Sequence, residues 1–374
     1  MRVRPLSSVH QRIAIGAPLP FNVRNANREL LLARGQLVRS EEQMLALLER
    51  GALVDLDDPP QQADDPASCR REALVGLWDR TFTNLGRVLE SSVHVDFLPA
   101  LQAASASLWA LIDRDPDLAI FRIVRQGRVD PAQYGASHSV HCAIATRLAA
   151  ERLGWDRSAV ASAFRAALTM NLSVLDLQGR LAAQAAGLTP TQRESIDSHP
   201  HRSARMLRSA GVTDKVWLEA VAQHHEVPGG RGYPAMLQQV GAAGTLVRYA
   251  DVFTARLSTR VTRSALRPHQ MARALYVEER GHPMVAALVK EFGIFPPGCC
   301  VRLASGEAGL VVKRGPASNT PIVATVVNRR GEPLLAPVRR ATDAAGNAIT
   351  GVIPESSLRV RVSRKQLVQI CGAG

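Results

Sequence analysis

Two adjacent histidines, His224 and His225, precede Glu226 and the segment Val227-Pro228-Gly229-Gly230-Arg231-Gly232-Tyr233-Pro234. Imidazole nitrogens side by side suit Zn, Fe, Mn or Ni. The Gly-rich, Pro-ended run behind them cannot continue a helix, so the pair is expected where a helix runs into a fixed loop. Taken alone, such a pair is as often a surface feature of a helix end. Further donors lie elsewhere in helical contexts: His138, His141 and His199, and Asp251 inside the apolar run Arg248-Tyr249-Ala250-Asp251-Val252-Phe253. An aspartate on an apolar helix face needs a partner, either a metal or an arginine such as Arg248 or Arg256. His10, His94, His141, His201, His269 and His282 lack support of this kind and read as surface or packing residues.

These donors need elements to hold them. Apolar residues recur at helical spacing over 72–92, 96–113, 117–126, 136–153, 157–172, 190–210, 214–225, 236–260 and 267–291. Thr189-Pro190-Thr191-Gln192 is a capping box with proline at the first helical position, and Pro268 opens the last helix similarly. Before this helical stretch, residues 1–56 read as a small α/β unit, with Ser40 capping a helix that ends at Gly51. The acidic, Pro-rich residues 57–68 read as a linker. Residues 69–135 form a helical extension, 136–292 the helical domain carrying the histidines, and 293–374 a small antiparallel β domain of β-branched runs broken by Gly, Asn and Pro. The fold class is therefore mainly α, with small N-terminal α/β and C-terminal β parts.

Composition narrows the function classes. The 374 residues carry a net charge of +13, but all except four of the 46 basic residues (Lys215, Lys290, Lys313 and Lys365) are arginine. The arginines are dispersed without a basic run, and aromatics are scarce at 4%, so a DNA-binding face is not expected. Five cysteines without a C-x-x-C spacing indicate neither a disulfide framework nor a zinc ribbon and fit a reducing cytoplasm. No signal-peptide pattern and no run of ~18 apolar residues for a membrane span is apparent.

The order of motifs resembles the HD-GYP family, the cyclic di-GMP phosphodiesterase branch of the HD superfamily. The 224–234 segment matches that family's HHE-x-x-x-G-x-GYP pattern. His138 matches its early helical histidine, His199-Pro200 its His-Pro, and Asp251 in Ala250-Asp251-Val252-Phe253 its later aspartate. Ser258, Arg260 and Arg263 match a following S-x-R-x-x-R pattern. The resemblance covers about 136–292. It implies a metal centre in which His138 and Asp251 serve one ion and His199, His224 and His225 another. It also implies a cyclic dinucleotide as ligand, with phosphate contacts from Arg260 and Arg263 and guanine stacking on Tyr233, where the loop-wedge alternative stays open.

The departures carry as much information. The family's paired His-Asp falls at Met170-Asn171, and its following Gly and Lys at Ser173 and Val174. Asn171 has no carboxylate with which to bridge two metals, and Met170 is a soft, weak ligand. Gly229 and Thr254 stand where further aspartates are expected. Three imidazoles still suffice for one Fe, Mn or Zn with an open position, while a binuclear site lacks its ligands. Two functions remain open on the sequence. One is a catalytically degenerate signalling protein that binds cyclic di-GMP or a diguanylate cyclase-type partner through the 224–234 loop. The other is an active phosphodiesterase with a rearranged or mononuclear site. A residual helical domain of the related HDOD kind is the third alternative. The C-terminal β domain reads as an oligomerisation or partner module.

Overall fold

The computed structural model describes the chain except residues 1–2, 11–12, 14, 16–18, 20, 27–29, 33–37, 39, 56–65, 67, 93, 127–129, 259–266, 359–369 and 371–374. Most of the expected linker, Arg260 and Arg263 fall outside the described residues. The chain divides into two compact units, Met1–Asp65 and Pro66–Gly374.

In the first unit, β1 (Val3–Pro5), β2 (Asn22–Arg24), β3 (Leu30–Leu32) and β4 (Leu53–Asp55) form an antiparallel sheet in the order β1-β4-β2-β3. Helix α1 (Glu41–Glu49) starts at Ser40, whose side chain accepts from the Gln43 amide. Leu6, Leu19, Phe21, Val23, Val38, Leu47 and Val54 make a separate small core.

The second unit is mainly helical. It runs through α2 (Arg71–Glu90), α3 (Phe97–Arg114), α4 (Pro116–Val124), α5 (Pro131–Arg152), α6 (Arg157–Thr169), a 3-10 turn at Leu172–Val174 and α7 (Leu175–Ala183). Helices α8 (Pro190–Ser209), α9 (Lys215–Gln223), α10 (Ala242–Leu257), α11 (Pro268–Glu278) and α12 (Pro283–Phe292) complete it. Helix α5 is the axis. From Tyr134 to Ala150 only Ser137 is not buried, because small Ala, Ser, Thr and Gly side chains let neighbours close on every side. It packs against α2, α6, α7, α10 and α12. The α5–α7 crossing is backbone to backbone, since a Cβ on Gly179 would meet the Pro131 carbonyl oxygen at 2.0 Å.

After α12 come β5 (Cys300–Leu303), β6 (Ala308–Lys313), β7 (Ile322–Val327), β8 (Pro333–Ala341) and β9 (Ile349–Val352), an antiparallel sheet in the order β8-β7-β6-β5-β9. Leu310, Ala324 and Val326 join the same core cluster as the helices. Arg314 ties the sheet to the bundle by ion-pairing with Asp117 on α4 and Glu291 on α12.

Several boundaries differ from the periodicity. Helix α5 begins at Pro131, capped by Asp130, so residue 136 lies inside it. Helix α7 was not anticipated. Its short apolar stripe sits between a 3-10 turn and an extended segment, too brief for the helical period to register. Residues 236–241 are loop, because Met236 takes a positive φ of 52° and Glu226 holds the neighbouring amides. The expected helix over 267–291 is two helices. Arg280 and Gly281 both take positive φ, and His282 caps α12 by accepting from the Met284 amide. Residues 157–183 are long and apolar enough on average to cross a membrane, yet 67% of the qualifying window is buried inside the protein, as befits a core element.

Candidate metal centre

Helices α8 and α9 bring His199 and His224 together, and the backbone chemistry of each helix fixes the tautomer. Pro200 has no N–H, so the Ile196 carbonyl, which residue 200 would normally satisfy, is left free. His199 Nδ1 takes it at 2.5 Å. Helix α9 ends at Gln223, and its last carbonyls lack intrahelical donors. His224 Nδ1 takes one of them, Val221 O, at 2.7 Å. A carbonyl accepts only, so both Nδ1 atoms must carry the proton. In the neutral rings both Nε2 atoms are then bare lone pairs, and they face each other at 3.0 Å.

The neutral form is the favoured one. Burial, assisted by the nearby His225, lowers the His199 pKa to about 4. Burial first, then His225 and His199, pushes His224 well below the ordinary histidine value. His225 is lowered chiefly by burial as well. Two unprotonated nitrogens at hydrogen-bond distance with no proton between them are repulsive unless a cation accepts both. With Nδ1 held by a carbonyl, this is the usual arrangement of metal-bound histidine. One ligand atom from each of His199, His224 and His225 lies within 4.8 Å of the others, so these residues fit a divalent ion.

The loop that follows is built to hold His225. The Glu226 carboxylate, 1% exposed, accepts from the amides of Ala235 at 2.6 Å and Leu237 at 3.1 Å. A Cβ at Gly232 would stand 2.3 Å from the Val227 nitrogen, so only glycine lets the two arms of the loop touch. The Tyr233 amide donates to the His225 carbonyl, and its ring stacks on the His225 imidazole at 4.7 Å and 17°. Tyr233 therefore wedges the loop in this arrangement.

His138 and Asp251 meet in a second cluster. His138 Nε2 lies 2.6 Å from Asp251 Oδ1, although 113 residues separate them. The arginines that might have paired with Asp251 are engaged elsewhere, Arg248 with Glu279 and Arg256 with Glu278. Burial opposes the Asp251 charge, but the hydrogen bond and charge of His138 outweigh it and hold the carboxyl below its ordinary range. Burial also opposes the charge on His138, and Cys142 and Asp251 outweigh it to raise its pKa. The charge of Asp251 acts on His199, His224 and His225 too, so the two clusters are neighbours.

Sequence reasoning passed over Cys142. Its thiol lies 3.5 Å from His138 Nε2 and 3.0 Å from the Thr254 hydroxyl. The available signal was the four-residue spacing from His138, one turn along the same helix face. Met170 ends α6 fully buried in the main core cluster, and Asn171 is buried beside it at the start of the 3-10 turn. Ser173 donates to the His199 carbonyl or shares its proton with Ser203. His141 packs beside Phe82, buried, with no partner for Nδ1.

The part of the chain that carries these clusters is similar to known proteins. A family model described as an HD domain matches residues 128–282. The cyclic di-GMP phosphodiesterase PA4108 of Pseudomonas aeruginosa is 27% identical over 288 residues, 75% of this chain and 66% of that protein. A cyclic di-GMP phosphodiesterase of Vibrio cholerae is 34% identical over 113 residues, 28% of this chain and 23% of that protein. The chain thus spans slightly less than two thirds of the first relative and about a quarter of the second. Among solved structures, Bd1817, an HDGYP protein from Bdellovibrio bacteriovorus, superposes with a TM-score of 0.48 at 16% identity, covering 77% of this chain and 97% of that one. The HD-domain match takes in His138, His199, His224, His225 and Asp251, so this part of the chain is similar to an HD domain.

Proposed function

We propose that this protein is a cyclic di-GMP signalling protein that binds the dinucleotide at a metal-dependent HD-GYP site without hydrolysing it efficiently. The observation that carries the reading is the pair Met170-Asn171. Met170 is wholly committed to the apolar core, and Asn171 offers an amide where a bridging carboxylate is required to share a hydroxide between two ions. The three-imidazole set His199, His224 and His225 supports retention of one divalent ion, Fe, Mn or Zn, which when bound supplies Lewis-acid charge for a phosphate oxygen. The chain's own residues would do the rest: Tyr233 and Glu226 keep His225 in place, and Arg260 and Arg263 would contact phosphate. A diguanylate cyclase-type partner would meet the loop at its exposed tip, Pro228, Gly229, Arg231 and Met236.

One observation favours a second reading, an active phosphodiesterase. Three imidazoles leave a coordination position open, which a purely structural site does not need. Metal content, cyclic di-GMP binding and turnover on one purified sample decide between them, beside a His224→Ala/His225→Ala variant. The proposal expects metal and binding, both weakened in the variant, with turnover absent or very slow. Hydrolysis lost together with the metal would replace it by the second reading. Neither metal nor nucleotide binding would overturn both.

A further inference from the structure

We propose that Cys142 is a metal ligand, and that with His138 and Asp251 it forms a second divalent-cation site of thiolate, imidazole and carboxylate donors. The three residues come from two packed helices. His138 and Cys142 lie one turn apart on α5, and Asp251 faces them from α10. One donor atom from each lies within 4.8 Å of the others.

The distances suit a tetrahedral ion. Metal–sulfur and metal–nitrogen bonds of about 2.3 and 2.0 Å at a tetrahedral angle place sulfur and nitrogen about 3.5 Å apart. Cys142 Sγ and His138 Nε2 are 3.5 Å apart. Nitrogen and carboxylate oxygen on the same ion would stand about 3.3 Å apart, against 2.6 Å between His138 and Asp251 as a direct pair. Accepting the ion therefore needs the Asp251 carboxylate to withdraw by well under 1 Å, from a position that is 17% exposed. The ion replaces the proton that otherwise joins His138 to Asp251, and the Cys142 thiol proton leaves to solvent as the sulfur binds.

Other side chains enclose the sulfur and the ring. Thr254 Oγ1 lies 3.0 Å from Sγ and donates its proton to the Ala250 carbonyl at 2.8 Å, so donating to a bound thiolate needs only that the hydroxyl turn; Thr254 sits one turn beyond Asp251 on the same face of α10. Tyr134 stacks parallel to the His138 ring at 6.0 Å and closes one side. Helix backbones hold all three donors, so the site is largely assembled before the ion arrives. A soft thiolate favours Zn(II) or Fe(II) over Mn(II) and Mg(II). The second ion would then be chosen by a residue that the HD-GYP reading does not use, and it would adjoin the three-histidine site without a bridging carboxylate.

The test uses the full chain, stripped of metal and titrated with cobalt(II). A thiolate on cobalt gives a near-ultraviolet charge-transfer band that imidazole and carboxylate ligands do not. The inference expects two equivalents bound, the band saturating with one of them. In Cys142→Ser the band is lost and one equivalent disappears, while the circular dichroism spectrum is retained. No band in the wild-type chain, or a band that survives Cys142→Ser and so belongs to another thiol, overturns it. Should Cys142→Ser fail to fold, Asp251→Asn and His138→Gln keep the thiol and must weaken or shift the band; an unchanged band in both overturns it. The inference rests on the proposed metal domain but fails separately. In His224→Ala the cobalt of the three-histidine site goes and the thiolate band stays, and absence of cyclic di-GMP binding would sink the proposed function alone.

Discussion

Removing metal should destabilise the helical unit by an amount that the site itself sets. In the metal-free protein the Nε2 atoms of His199 and His224 face each other at 3.0 Å, each with its proton committed to a carbonyl on the opposite nitrogen. A bound ion relieves that repulsion and binds only the folded arrangement, since the two histidines come from different helices 25 residues apart. At free metal one hundredfold above the dissociation constant, such binding stabilises by about 2.7 kcal/mol. For a unit of about 300 residues, an unfolding entropy of about 2 cal/mol/K per residue converts this to a rise of about 4 °C in melting temperature. The assay is a thermal melt followed by circular dichroism, with EDTA against a zinc or manganese buffer at fixed free concentration. His224→Ala should reduce the metal-induced rise to a fraction of its value. It should also cost the metal-free protein less than an ordinary buried truncation, because it removes one of the two opposed lone pairs. The reasoning is refuted if EDTA leaves the melt unchanged, or if the variant shows the same metal-induced rise as the parent.

Other substitutions probe the frame around the site. His141 is buried with its pKa lowered to about 3 by burial, by His138 and by Arg122. It stays neutral in the folded state while taking a proton near pH 6.5 when unfolded, so its contribution is harmless above that pH and turns destabilising as pH falls. At pH 5 this amounts to about 2 kcal/mol, and His141→Phe, which keeps a ring beside Phe82, should flatten the loss of stability between pH 6.5 and 5 in denaturant titrations. A pH dependence identical to the parent's would contradict the assignment. Gly179→Ala puts a methyl group into the Pro131 carbonyl, so α7 must move; about 1–3 kcal/mol of stability should be lost. An unchanged urea midpoint would mean that α5 and α7 are not in backbone contact. Glu226→Ala orphans the Ala235 and Leu237 amides, at a cost of about 1–3 kcal/mol for each buried donor. It should raise hydrogen exchange over 226–238 and weaken metal binding, and equal exchange in parent and variant would refute the role given to its carboxylate.

How much of this was legible in the sequence depends on whether the determinant is local. The capping box at Thr189 and Gln192, the Ser40 cap and the break at Pro228–Pro234 are set by neighbours a few residues apart, and each lies where side-chain and backbone chemistry require. The split between α11 and α12 was hidden because the apolar period runs on across Arg280 and Gly281, and only their backbone angles interrupt it. The pairing of His138 with Asp251 spans 113 residues, so the residues around Asp251 demand a partner without naming it, and only the resemblance in motif order puts His138 beside it; the local alternatives Arg248 and Arg256 are held by Glu279 and Glu278.

The most instructive difference concerns which residues count as ligands. Comparing positions with a family pattern asks whether the expected donor is present, and at Met170 and Asn171 the answer is no. That question cannot notice a donor at a position the pattern does not name. Cys142 sits one helical turn past His138, and Thr254 one turn past Asp251, so the two side chains face each other across the α5–α10 contact at 3.0 Å. A thiol and a hydroxyl that meet there put polar atoms into a buried seam beside the only carboxylate of the two clusters. Each has a partner inside the seam: Thr254 Oγ1 donates to the Ala250 carbonyl at 2.8 Å and can accept from the Cys142 thiol. With Cys142 as a ligand, the set it forms with His138 and Asp251 is softer than a carboxylate-bridged centre and suited to holding a ligand.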